Sequence, residues 1–70
     1  MRLTRMKLQR LERGLLQVEV ANRARIPRAR LSELENGHVL PTGEELERLA
    51  SALGVAPGVL SETAAGQQEQ

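Results

Sequence analysis

Four arginines crowd into one short stretch of this chain: Arg23, Arg25, Arg28 and Arg30. A guanidinium is always charged and presents a planar fork of donors. That fork matches phosphate oxygens and the O6/N7 edge of guanine. The four lie inside Gln17 to Gly37, a segment whose apolar residues and breakers read as two short helices joined by a tight turn. Chemistry of other kinds has little to work with. His38 is the sole histidine, and Cys, Tyr and Asp are absent. No metal-ligand spacing and no catalytic grouping emerges, so neither an enzyme, a metal nor a cofactor is expected.

The net charge of +1 hides an asymmetry. Residues 1–37 carry nine Lys/Arg against four Glu, or +5, and residues 38–70 carry one Arg against five Glu, or −4. A basic front and an acidic back suit a protein that meets a polyanion with one face, although an ordinary solvated surface can segregate its charges too. With no aromatic residue, the stacking platforms common in single-strand and RNA binders are missing, which leaves duplex DNA as the better nucleic-acid partner. Seventy residues allow one domain. No apolar run approaches the ~20 residues of a membrane span, and no signal peptide follows the basic start. The expected location is cytoplasmic.

The elements that must hold the arginines follow in order. A first helix is expected over about 4–13, with Leu3, Met6 and Arg10 on one face, Leu11 beside them and Gly14 as its stop. Arg10 occupies a slot where an apolar residue would face the core, so it either pairs with a carboxylate, with Glu35 the candidate, or snorkels to solvent. A second helix over 17–24 turns Val20, Ala21 and Ala24 inward and lacks a side-chain cap at Leu16. Ile26 plugs the turn, and Pro27 opens a third helix to about Asn36 with Leu31 and Leu34 inward. Thr42 and Glu45 form a capping box for a fourth helix, whose stripe is Leu46, Leu49, Ala50 and Leu53. Pro57 begins a weak fifth helix anchored by Val59 and Leu60. Residues 62–70 read as a disordered polar tail to a domain of residues 1–61.

These residues together resemble the Cro and phage-repressor type of helix-turn-helix protein, the XRE family. The resemblance is carried by Arg10, Gly14, Leu15, Gln17, Val20 and Ala21, then Ile26, Leu31, Ser32 and the run Leu34-Glu35-Asn36-Gly37. It continues through Pro41, Thr42, Leu46, Leu49, Ala50 and the run Ala52-Leu53-Gly54-Val55, with no gap over residues 3–60. It implies an all-α, five-helix lambda-repressor-like domain, sequence-specific binding of double-stranded DNA, a cytoplasmic location and a homodimer. Three residues depart from the pattern: Leu16 replaces the usual Ser/Thr cap, Arg25 a common turn glycine, and Gly43 a frequent leucine.

In that frame the third helix, about 28–36, enters the major groove. Arg28 is the candidate for a bidentate bond to guanine, Ala29 for a thymine methyl and Ser32 for a further hydrogen bond. Glu33 accepts from a cytosine amine or merely pairs with Arg30. Gln17, Arg25, Arg30, Asn36, His38, Thr42 and Gly43 are the candidate phosphate contacts, two of the sites being helix N-termini. His38 is alternatively just solvated. Val39, Leu40, Val55 and Val59 are expected at a dimer contact, unless they complete the monomer core. The rival function is an antitoxin or adaptor whose main partner is a protein, such as a toxin. It would call for a sizeable exposed apolar patch instead of free arginines.

Overall fold

The computed structural model describes residues 3–61, and no strand occurs among them. Five helices follow in order: α1 (Arg5–Glu12), α2 (Gln17–Ala24), α3 (Arg28–Glu35), α4 (Gly43–Leu53) and α5 (Pro57–Leu60). The expected tail, residues 62–70, lies outside the described residues.

The core follows the apolar stripes. Val20, Ala21 and Ala24 of α2 meet Leu49, Ala50 and Leu53 of α4, and Leu31 and Leu34 of α3 close the space with Ile26 and Met6. Alanines at 21, 24 and 50 leave no bulk between the helices, so α2 and α4 make the most extensive pairing in the fold. Leu60, from the single turn of α5, is fully buried and ties that turn to α1 and α4.

Four helices stop in the same way. The N–H two residues beyond the last full turn reaches back to a carbonyl five residues earlier: Leu15 to Arg10, Ile26 to Ala21, His38 to Glu33 and Val55 to Ala50. A second bond nests inside each. This Schellman ending needs a left-handed residue. Gly14, Gly37 and Gly54 supply it at three ends, and Arg25 supplies it at the fourth with φ 59°. A side chain in that conformation costs roughly 1–2 kcal/mol.

Several sequence expectations change. α1 begins at Arg5 because Thr4 is its cap, with its buried hydroxyl accepting from Lys7 N–H and donating to the Glu35 carbonyl. Its inward face is narrower than the stripe suggested. Only Met6 and Arg10 of this helix are buried, while Leu3, Leu8 and Leu11 are exposed; its main neighbours are α3 and α5. Pro27 is the cap of α3 and not its first residue, since its ψ of 141° is still extended. Val59 is exposed, so Leu60 alone anchors α5. The Thr42–Glu45 capping box forms in full. At α2 only half of one forms: Glu19 accepts from Leu16 N–H at 2.7 Å, and Leu16 has nothing to return.

Candidate nucleic-acid interface

The start of α3 is held from both sides by side chains of its neighbours. On one side runs a chain of polar contacts that begins in the core. Arg10 Nε donates to Glu35 Oε2 at 2.7 Å and its Nη2 to Oε1 at 3.0 Å, a two-bond fork between α1 and α3. Its Nη1 donates to the Leu15 carbonyl at 2.8 Å, so the guanidinium also fastens the α1–α2 turn. Glu35 is 1 % exposed and Arg10 9 %, which makes the pair a buried one. From Glu35 the chain continues outward. Gln17 Nε2 donates to Glu35 Oε1 at 3.1 Å, and Gln17 Oε1 accepts from Arg28 Nη1 at 3.2 Å. The first residue of α2 thus joins the first residue of α3 through one side-chain amide.

On the other side, Arg30 forms a second fork. Its Nε donates to Glu45 Oε2 and its Nη2 to Glu45 Oε1, both at 2.9 Å. The same Oε1 accepts from Thr42 N–H, so one carboxylate caps α4 and holds α3. The Arg30 guanidinium is the largest reason the Glu45 carboxyl is held down to about 2 from its ordinary 4.5; burial opposes it, and the Thr42 amide adds to the lowering. The neighbouring acid Glu44 is bridged in turn by Arg48 at 2.6 Å. Both carboxylates of the first turn of α4 are therefore matched by arginines.

The first turn of α3 is thus joined to the N-terminus of α2 through Arg28 and Gln17, and to that of α4 through Arg30 and Glu45. The first N–H groups of a helix have no intrahelical acceptor and carry the positive end of its dipole. Between these ends, Arg28, Ala29 and Glu33 are exposed along α3, and Ser32 is half-buried. Arg25 is exposed in the turn. Asn36, Gly37 and His38 form an exposed corner after α3, yet their backbone N–H groups are all spent on Ser32, Leu34 and Glu33. Those three amides are therefore not open to a phosphate. Only the Asn36 and His38 side chains are placed to meet one.

Two linkages escaped the sequence reading. Gln17, a candidate phosphate contact, also bridges Glu35 and Arg28. Arg30 was expected to face phosphate or Glu33, but it faces Glu45. Thr42 and Gly43 are exposed at the α4 start. Among the apolar candidates, Val39 and Val55 are partly buried against the core, whereas Leu40 is 74 % exposed and Val59 lies at the surface.

A helix of exposed arginine-bearing face, with the N-terminus of the preceding helix fixed across a tight turn, defines the helix-turn-helix class of DNA-binding domain. The helix-turn-helix family model matches residues 6–60 of the 70. The chain belongs to this family, in its Cro and phage-repressor (XRE) branch, and is a DNA-binding helix-turn-helix protein. Neither a curated protein nor a solved structure matches it. No helix among the described residues is long and apolar enough to cross a membrane.

Proposed function

We propose that the protein is a sequence-specific, repressor-like transcriptional regulator that reads the major groove of duplex DNA with α3. The observation that carries this reading is the Gln17 bridge. It fixes the exposed Arg28 to the N-terminus of α2, so a base reader and a phosphate site are held at a set spacing. Arg28 takes a guanine edge, Ala29 a thymine methyl, and Ser32 and Glu33 the pairs further along. The second amide hydrogen of Gln17, the N–H groups of Gly43 and Glu44, the Thr42 hydroxyl, the Asn36 and His38 side chains and Arg25 take phosphates. These contacts set register without reading sequence.

Two copies on neighbouring turns of the duplex, ~34 Å apart, would read a near-palindrome. We place their mutual contact at Leu40 and Val59, the two exposed members of the apolar set, with Val39 and Val55 supporting them from below. Selecting bound duplexes from a random pool at two salt concentrations tests the function. A pool that yields no preferred sequence removes it.

A second reading has an observation of its own. Leu8 and Leu11 lie exposed three residues apart on α1, a face suited to a protein partner such as a toxin. An antitoxin or adaptor of that kind would lose its partner, and keep any duplex binding, when both leucines become glutamate.

A further inference from the structure

We propose that Glu45 withholds Arg30 from the DNA backbone, and that the two form a positioning pair setting α3 against the N-terminus of α4. The inference rests on the DNA-reading function proposed above.

Arg30 sits two residues after Arg28 and looks like another phosphate contact. Its guanidinium is nevertheless already engaged by both carboxylate oxygens of Glu45, through Nε and Nη2. Planar fork-to-carboxylate pairing fixes distance and orientation together. The far end of that fork is itself fixed, because Glu45 accepts from Thr42 N–H and Glu45 N–H donates to Thr42 Oγ1. Arg30 is therefore tied to a closed capping box and not to a swinging side chain. The side chains are about one-third exposed for Arg30 and 17 % for Glu45, so water only partly competes.

Charge makes the same point. Glu45 lies in the first turn of α4, beside the proposed Thr42–Gly43 phosphate site. A bare carboxylate there would repel the backbone. Paired with Arg30 it does not, and the arginine in turn adds nothing to non-specific attraction. The pair is neutral towards DNA as a unit. What it contributes is geometry: the spacing between the reading helix and one of its anchor points.

The salt dependence of binding counts the phosphates neutralised, at about 0.9 in the slope of log K against log salt for each. Each such unit changes affinity by about 3–4-fold between 50 and 200 mM salt. The test compares the parent, Glu45→Gln, and the double variant Arg30→Gln/Glu45→Gln. Gln at position 45 keeps the capping box closed. Affinities are measured for a selected duplex and a scrambled one, with folding checked by circular dichroism. Glu45→Gln frees Arg30, so its slope steepens by about 0.9 and scrambled DNA gains more than selected DNA. The double variant keeps the slope of the parent and loses preference for the selected duplex.

A slope that falls by about 0.9 in the double variant overturns the assignment, because Arg30 would then be neutralising a phosphate in the parent. An unchanged preference in the double variant overturns the positioning role. Failure of the parent to prefer any duplex removes the proposed function itself and this inference with it. That outcome is distinct from both others.

Discussion

Replacing Arg10 with methionine should destabilise the fold by several kcal/mol. Methionine keeps the apolar stem and its contact with the apolar surround but ends short of the guanidinium, so the change falls mainly on the polar contacts. What disappears is the fork to Glu35, at 2.7 and 3.0 Å, and the bond to the Leu15 carbonyl at 2.8 Å. Glu35 is 1 % exposed and cannot turn to water. Gln17 Nε2 would remain as a neutral donor to its carboxylate. Breaking one side of such a buried pair costs about 3–5 kcal/mol. A chain of this length has about 3.5–10 kcal/mol in total, from ~0.05–0.15 kcal/mol per residue. Thermal unfolding followed by circular dichroism should therefore show a midpoint lower by more than about 12 °C, at roughly 4–8 °C per kcal/mol. The double variant Arg10→Met/Glu35→Leu separates the two contributions of the pair. Removing both charges should restore most of the midpoint. It should not restore duplex preference, because Gln17 has lost the acceptor that aims it at Arg28. An Arg10→Met midpoint equal to that of the parent would refute the reasoning, since the ion pair would then hold nothing.

The remaining expectations are smaller. Arg28→Ala should relax preference at one base pair in each half-site, costing ~1–3 kcal/mol in binding measured on substituted duplexes. Arg25→Gly should raise the melting midpoint, because relief of the left-handed arginine at φ 59° exceeds the added backbone entropy by about 0.5–1 kcal/mol. Leu16→Ser should also raise it, by completing the half-formed cap above Glu19, with a gain of about 0.5–1 kcal/mol. The folded-state value of Glu45 is depressed from 4.5 to about 2, so its contribution is present above pH ~4.5 and is lost as pH falls towards 2. With the pair partly solvated, that loss should be no more than about 1 kcal/mol. Urea midpoints across this range should fall less steeply for Glu45→Gln than for the parent.

The fold was legible wherever one residue type has one local use. Thr42 and Glu45 are spaced for a capping box, glycine follows three of the helices, and Leu49, Ala50 and Leu53 repeat on one side of α4. Such signals act within a turn or two of the chain. The leucines of α1 repeat at helical spacing, yet its main neighbours are α3 and α5, and most of that face stays open. Periodicity tells which side chains share a face, not how much of that face finds a neighbour. The site divides in the same way. The Arg10–Glu35 contact was suggested by a cation standing in an apolar stripe. Nothing comparable marks Gln17, since an amide bridging two charged groups has the same spelling as one facing water. Arg30 and Glu45 are fifteen positions apart, and each had a plausible local partner or role. Only the folded positions of α3 and α4, which bring the two side chains together, choose between these.

The carboxylate of Glu35 answers at one end to the interior and at the other, through Gln17, to the outward arginine. Inheritance of a new target preference is therefore channelled. On the proposed reading, exchanges at Ala29 and Glu33 can drift singly, because they face solvent, whereas Arg28 is tied to Gln17. Arg10, Gln17 and Glu35 can change only in concert, since altering one disturbs folding and recognition in the same step.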